Sequence, residues 1–192
     1  MKRRRMLLLA LLVGVGLSGC GEEGRVAGLP PPQEPGAGAV GYYCGMAVAE
    51  HPGPKGQVFL AGHTDPLWFS SVRDTLAFSI LPGEPRRVAA LYVNDMSRSA
   101  DGRSPAPGAW VLARDAVFVA GGAAIGGMGA QEVMPFADRA AAERFRAANG
   151  GDIYRFGEVP EQFVLGADGG LAAAPAVPRA QKDEADAGHT KH

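Results

Sequence analysis

Tyr42-Tyr43-Cys44-Gly45-Met46 is the stretch around which the predicted fold is built. Its aromatic and β-branched neighbours continue to Val48, so a strand is predicted over Tyr42 to Ala49. Residues two apart in a strand point to the same side, which would place Cys44 and Met46 on one face, with their backbones roughly 7 Å apart. A thiolate and a thioether form a soft donor set that favours Cu(I) over hard cations. The alternative is a small buried cysteine beside a methionine that fills a gap in the core.

The first twenty residues have the pattern of an export signal. Lys2 to Arg5 are basic, Met6 to Leu17 are apolar, and Ser18-Gly19-Cys20 follows. The run from Met6 to Gly19 is 14 residues long, shorter than the ~20 residues that a transmembrane helix needs. We therefore predict a signal peptide over 1–19. The small pair before Cys20 resembles the lipobox of bacterial lipoproteins, which implies lipidation of Cys20. The alternative is an ordinary secretory signal and a disulfide between the two cysteines.

Charge and length limit the classes of function. The chain has 192 residues, with 19 basic and 20 acidic side chains. Loss of residues 1–19 removes four of the basic side chains and none of the acidic ones, which leaves 173 residues with a net charge of −5. No basic stripe for nucleic acid remains, and no nucleic-acid partner is predicted. The length suits one ordinary domain or two very small ones.

The first half of the mature chain predicts a tether and one small unit. Residues 20–39 are rich in proline and glycine and are predicted to be a flexible tether. After the strand at Tyr42, a second strand is predicted over Gln57 to Ala61, and the two would form a hairpin. A helix is predicted to open within Gly62 to Pro66, with Thr64 or Asp65 as its cap, and to stop at Leu81. Arg87 to Asp95 would then be the third strand.

The second half repeats this order of elements. A polar linker over 98–108 is followed by predicted strands over Trp110 to Val119 and Gln131 to Met134. A helix over Asp138 to Ala148 and a last strand over Asp152 to Phe156 complete the unit, and one short helix is expected within 157–165. The predicted fold class is α+β, with two ββαβ units in tandem over 40–97 and 109–165. Residues 166–192 are predicted to be a disordered tail.

Other candidate ligands lie outside the first stretch. Met128 lies between two glycines that expose the backbone, and Met96 and His63 are further candidates, whereas Met134 is predicted to be core. The alternative for His63 is a polar loop residue, and the same holds more strongly for His51 in its Pro-Gly turn. In the tail, His189 and His192 would bind Cu(II) or Zn(II) weakly. The preferred interpretation of this segment is a disordered tail.

An enzyme is the alternative to a binding protein. Cys44 would act as a nucleophile, His63 would activate it, and Asp65 or Asp95 would support the histidine. No local sequence signature supports this arrangement.

Several motifs in order resemble the NosL family of lipoproteins, which are accessory to bacterial nitrous oxide reductase. They are Cys44-Gly45-Met46, Ser71-Val72-Arg73-Asp74, Tyr92-Val93-Asn94-Asp95-Met96, and Met128-Gly129-Ala130-Gln131-Glu132 leading to Pro135-Phe136. The resemblance covers about residues 40–165 and implies two ββαβ units, which are also seen in an organomercurial lyase.

The same resemblance implies the function. It implies a periplasm-facing chaperone that supplies Cu(I) for the copper-sulfide centre of nitrous oxide reductase, with the reductase and its membrane-bound maturation complex as partners. The family's Cys-Gly-Met motif falls on Cys44 and Met46, and the third ligand stays open among Met128, Met96 and His63. Glycine after Cys20 favours the outer membrane by resemblance to sorted lipoproteins. The enzyme alternative takes the form of a thiol-dependent activity of the organomercurial-lyase type at Cys44.

Overall fold

The computed structural model describes residues 28–85 and 87–166. They form an α+β fold, as predicted. Its strands are β1 (Gly56–Leu60), β2 (Leu67–Phe69), β3 (Val88–Asn94), β4 (Trp110–Leu112), β5 (Val117–Ala120), β6 (Met134–Phe136) and β7 (Asp152–Arg155), and its α-helices are α1 (Val72–Ile80), α2 (Arg139–Asn149) and α3 (Glu161–Leu165). The predicted signal peptide, Cys20 and nearly all of the predicted tail lie outside the described residues. Within them, no helix is long and apolar enough to cross a bilayer.

The two ββαβ units are present and share one topology. In the first unit β1, β2, α1 and β3 follow one another, and the strands lie in the order β2-β1-β3 with β4 added at the edge. In the second unit β5, β6, α2 and β7 follow one another, and the strands lie in the order β6-β5-β7. All neighbouring strands are antiparallel. The first strand is therefore central in each sheet, and the helix connects its two neighbours.

Local sequence explains the elements that were predicted well. The carboxylate of Asp138 accepts hydrogen bonds from the backbone N–H groups of Ala140 and Ala141, which caps α2. Gly150 follows α2 with a φ of 75°, a left-handed conformation that suits glycine and ends the helix. The predicted third strand is β3, and the predicted last strand is β7.

In the first half, the elements lie at other positions in the chain than predicted. Tyr42 to Ala49 is not a strand, and β1 is the strand predicted as the second of a hairpin. The predicted helix start at Gly62 to Pro66 is also wrong, because this segment is the loop before β2. Helix α1 begins later, where the hydroxyl of Ser71 accepts a hydrogen bond from the N–H of Asp74 at 3.0 Å. Its end at Leu81 is as predicted.

Two strands of the second half also differ from the prediction. The segment Trp110 to Val119 is not one strand, because a 3-10 turn over Ala113–Asp115 divides it. Its first part, β4, pairs with β3, so the change from the first sheet to the second falls at this turn, after the predicted linker. The short strand predicted over Gln131 to Met134 lies a few residues later, as β6.

Both units contribute to one hydrophobic core. Val58, Leu91 and Val93 of the first sheet face α1, and Phe118 and Ala120 of β5 belong to the same buried cluster. The opposite face of β5, with Val119, packs with the residues of β6 and α2 in a second cluster. Helix α1 therefore packs on the first sheet within the core that both units share, and α2 covers the opposite face of the second sheet.

The predicted tether is in part a fixed strap across the first sheet. The strap, residues 29–34, lies over the face of the sheet opposite α1. The backbone N–H of Gln33 donates to the side chain of the fully buried Gln57 at 2.9 Å, and the Gln57 amide donates back to the Gln33 carbonyl at 3.0 Å. Tyr92 donates to the Pro30 carbonyl, and the Trp110 indole donates to Glu34. Because a buried unpaired amide costs about 1–3 kcal/mol, Gln57 holds the strap in place.

Gly56 marks a close approach between β1 and α1. A Cβ atom at this position would collide with the side chain of Thr75, which is fully buried. We expect Gly56→Ala to lower the free energy of unfolding by ~1–3 kcal/mol, the usual cost of overpacking a core. Denaturant unfolding measures the change. Gly83→Ala is the matched control, since a Cβ there meets open space, and equal stability of the two variants would contradict this packing.

Candidate metal site

Cys44 lies in a tight turn rather than in a strand. The sulfur turn, residues 40–47, is closed by a bridge between Val40 and Ala47 and by a hydrogen bond from the Gly45 N–H to the Gly41 carbonyl at 2.7 Å. Gly45 has a φ of 66°, a conformation that glycine adopts at little cost. The prediction that strand alternation places Cys44 and Met46 on one face is therefore wrong. They flank the glycine instead, with Cα atoms no more than about 7 Å apart because two peptide units separate them.

The thiol of Cys44 is held from two sides. Its Sγ lies 3.3 Å from the Oγ of Ser70, which is itself buried. A Cβ atom on Gly41 would lie 2.5 Å from this sulfur, so glycine at 41 leaves the space that the thiol occupies. Cys44 is a free cysteine and is half-buried, whereas the Met46 side chain is 39% exposed. The turn thus presents one positioned thiol and one exposed methionine.

Two tyrosines anchor the sulfur turn to the core. Tyr42 and Tyr43 pack against Phe69, with ring centroids 5.7 and 5.5 Å away. Both hydroxyls donate to the carboxylate of Glu84, at 3.2 and 2.8 Å. Burial, together with the hydrogen bond and the charge of Glu84, raises the pKa of each tyrosine, so both remain donors at neutral pH. Because Cys44 directly follows Tyr43 in the chain, the contacts of the two tyrosines also fix the position of its backbone.

Met128 lies at the tip of a second exposed turn. The glycine hairpin, residues 124–132, is closed by a bridge between Ile125 and Gln131, and Met128 is 40% exposed. A Cβ on Gly127 would collide with the carbonyl of Pro52 and lie 3.1 Å from the Cβ of His51. The hairpin therefore packs on the segment that follows the sulfur turn in the chain.

Glu132 joins this hairpin to helix α1. Its carboxylate accepts from the N–H of Arg73 at 3.0 Å and from the N–H of Val133 at 2.9 Å. Burial, opposed by these hydrogen bonds, raises its pKa to about 7. Ser70, which contacts Cys44, and Arg73, which contacts Glu132, are only three residues apart. The sulfur turn and the glycine hairpin therefore both rest on the start of α1.

The structure does not bring the other candidates to Cys44. His63 is exposed in the loop after β1, at the opposite end of this strand from Gly56, which pairs with Phe69 next to Ser70. Gly56 and Leu60 are four residue steps apart along β1, a distance of roughly 13 Å. Met96 is buried in the core with Met134, the residue for which a core position was predicted.

The groups that the enzyme alternative requires are also apart from Cys44. Asp65 belongs to the same distant loop as His63. The carboxylate of Asp95 already accepts hydrogen bonds from the backbone N–H groups of Ser97 and Ala137, so it does not support a histidine beside Cys44. The hydroxyl of Ser70 is the polar group found next to the thiol, and it is not a general base.

The exposed donors at this end suit a soft ion. Within residues 28–85 and 87–166, no group of three or more His, Cys, Asp and Glu side chains is placed to hold a metal. A structural zinc site would need such a group, since zinc takes four nitrogen, sulfur or oxygen ligands. A thiolate with one or two thioethers is instead a donor set for Cu(I). The chemistry of the residues present therefore fits Cu(I).

Fold and donor set together define a small α+β protein with a half-buried thiol and two exposed methionines at one end. The NosL family profile matches residues 32–164, and the chain belongs to the NosL family. It is 40% identical over 164 residues to "Copper-binding lipoprotein NosL" of Achromobacter cycloclastes, covering 85% of this chain and 83% of the relative. It is 33% identical over 157 residues to the protein of the same name from Stutzerimonas stutzeri, covering 82% and 80%.

A solved structure shares the fold. The crystal structure of the copper chaperone NosL from Shewanella denitrificans superposes with a TM-score of 0.64 at 32% identity. The match covers 69% of this chain and 97% of that one.

The space that Gly41 leaves for the thiol can be tested directly. We expect Gly41→Ala to displace the Cys44 sulfur and to weaken Cu(I) binding by at least about tenfold, which corresponds to 1.4 kcal/mol. Competition with a chromophoric Cu(I) chelator measures the affinity. Gly38→Ala is the matched control, because a Cβ there meets nothing within 4 Å. If Gly41→Ala bound Cu(I) with the affinity of wild type, the position of the Cys44 thiol would not determine Cu(I) binding.

Burial of Glu132 makes stability depend on pH. Its folded-state pKa of about 7 lies above the ordinary 4.5, so the folded chain binds this proton more tightly than the unfolded chain. This contribution is complete below pH 4.5 and is lost as the pH rises through 7; it amounts to up to about 3 kcal/mol. Glu132→Gln keeps the acceptor oxygen without the charge, and we expect it to be more stable than wild type at pH 8.

Denaturant unfolding at pH 5 and at pH 8 separates the two chains. Wild type should lose more stability between these pH values than Glu132→Gln does. Equal losses in both chains would show that the proton is bound elsewhere.

Proposed function

We propose that this chain is a copper chaperone that holds one Cu(I) through the Cys44 thiolate and the Met46 thioether, with Met128 as the third donor. The observation that carries the proposal is the sulfur turn itself, in which a positioned thiol and an exposed thioether flank a left-handed glycine. The names of its relatives, copper-binding lipoprotein and copper chaperone, support the same function.

Packing favours Met128 over the other candidates for the third donor. Met128 is exposed and lies on a hairpin that shares its support, the start of α1, with Cys44. Met96 would have to leave the core, which costs the burial of a methionine, about 1.5–3 kcal/mol. His63 lies at the other end of β1. Met128 is therefore the donor that reaches an ion at Cys44 with the least rearrangement.

The arrangement suits delivery rather than storage. Thioethers are uncharged and bind weakly, so Met46 and Met128 can leave the ion one at a time while the ligands of an acceptor replace them. Cys44 stays in place because Tyr42, Tyr43 and Ser70 hold its surroundings. Since the thiol must lose its proton on binding, Cu(I) affinity should rise with pH.

The recipient and the location complete the proposal. Membership of the NosL family supports the assembly of the copper-sulfide centre of nitrous oxide reductase as the destination, with the reductase and its membrane-bound maturation complex as partners. Lipidation of Cys20 would anchor the chain, facing the periplasm, in the outer membrane. The word lipoprotein in the names of two relatives supports this anchor.

Copper transfer tests the function. We expect the chain loaded with one Cu(I) to pass it to copper-free nitrous oxide reductase, mixed with its maturation complex, faster than a free chelator of equal affinity does. The physical reason is that exposed thioethers can be replaced one at a time, so that the chain and the acceptor both bind the same ion during transfer. Copper in the separated acceptor, measured over time, gives the rate.

Two variants control for non-specific transfer. Cys44→Ser replaces the soft donor by a hard one and should lose Cu(I) affinity by orders of magnitude, whereas Met134→Leu changes a buried methionine outside the site and should transfer like wild type. Transfer at the chelator's rate, or unchanged transfer in Cys44→Ser, would contradict the proposal.

A further inference from the structure

Exposed large apolar side chains form two groups at opposite ends of the described residues. One group belongs to the sulfur turn and the glycine hairpin. The other consists of Leu29, Ile80 and Val88, which are 42%, 39% and 39% exposed. The proposed copper site gives a role to Met46 and Met128 of the first group and no role to the second group.

The second group lies at the far end from the sulfur turn. Helix α1 begins beside Cys44 at Ser71 and ends at Ile80, a length of roughly 14 Å. Strand β3 begins at Val88, and Val93 at its other end pairs with Gly56 beside the start of α1. Val88 and Val93 are five residue steps apart along β3, a distance of roughly 17 Å. The two ends are therefore about 15 Å apart along the first unit.

The far end combines apolar and basic groups around a groove. Leu29, Val88, Leu112 and Arg114 line a groove of about 340 Å³. Arg87 is exposed next to Val88. Asp115 lies 3.9 Å from Arg114, but both side chains are more than half exposed, so this ion pair contributes little and leaves the guanidinium available. Apolar side chains bordered by arginines suit the boundary between lipid headgroups and acyl chains.

The strap fixes where the chain enters this end. Hydrogen bonds to Pro30, Gln33 and Glu34 hold the strap on the sheet, so Leu29 has a set position. Cys20 precedes Leu29 by nine residues, and a fully extended chain of this length spans at most about 32 Å. A lipid on Cys20 would therefore keep the Leu29 end within about 32 Å of the bilayer. Because this reach exceeds the distance of about 15 Å between the two ends, the side chains at the surface decide which end meets the lipid.

We propose that the end formed by Leu29, Ile80 and Val88, with Arg87 and Arg114, is a membrane-binding surface. The apolar side chains enter the headgroup region, the arginines pair with lipid phosphates, and the sulfur turn faces the aqueous compartment. The surface adds a second attachment to the lipid and fixes the orientation of the chaperone. It rests on the proposed lipidation of Cys20.

Depth-dependent quenching tests the orientation in the full lipidated chain. The chain is placed in vesicles of phosphatidylethanolamine and phosphatidylglycerol that contain headgroup spin-labelled lipid. One sample carries a fluorophore on Cys44, and the other carries it at the far end in Cys44→Ser with Gly83→Cys, since position 83 is exposed and uncrowded. We expect severalfold stronger quenching at position 83 than at position 44.

Substitutions in the surface distinguish contact from simple tethering. Leu29→Ser with Arg114→Glu should reduce quenching at position 83 severalfold while the chain still floats with the vesicles. Ile125→Ser, which changes an exposed apolar residue at the opposite end, should leave quenching unchanged. Equal quenching at positions 83 and 44 in chains that float would overturn the membrane-binding surface alone. Failure of the wild-type chain to float would overturn the lipid anchor in the proposed function and this surface with it.

Discussion

The start of helix α1 is the support on which the rest of the site depends. Ser71 caps the helix, the Ser70 hydroxyl contacts the Cys44 sulfur, and the backbone N–H of Arg73 donates to the buried carboxylate of Glu132. Unpaired N–H groups at a helix start need acceptors, and here one acceptor belongs to the second unit. The same turn of helix thus fixes the thiol and joins the two units near it.

Much of the fold follows from local sequence signals. Asp138 before an amphipathic segment and Gly150 after it define α2, and the β-branched run of β3 defines a strand. Both halves were predicted as strand, strand, helix, strand, which gave the ββαβ repeat. In the first half, however, the first predicted strand is the sulfur turn, and the two observed strands lie later in the chain. The Ser71-x-x-Asp74 pattern, quoted above only as a family motif, is also a helix-start pattern and marks the observed start of α1. A helix that begins at Ser71 leaves room for β2 before it, whereas the predicted start at Gly62 to Pro66 does not.

The errors around Cys44 and the strap have a different cause. Tyr42 and Tyr43 have strand propensity, but their rings pack on Phe69 and their hydroxyls bind Glu84, about forty residues away. Long-range contacts of this kind override local propensity. The strap was predicted to be flexible because its composition is rich in proline, yet the buried Gln57 supplies the partner that fixes it. The buried amide within an apolar strand was the signal that a backbone covers this face.

In the proposed site, sulfur atoms of the sulfur turn hold the copper ion. Copper K-edge X-ray absorption of the chain loaded with one equivalent of Cu(I) tests it most directly. We expect a low-coordinate Cu(I) spectrum with a first shell of sulfur, which loses sulfur scattering in Cys44→Ser and in Met46→Leu. A first shell dominated by nitrogen or oxygen, or a spectrum that neither substitution changes, would contradict copper ligation by Cys44 and Met46.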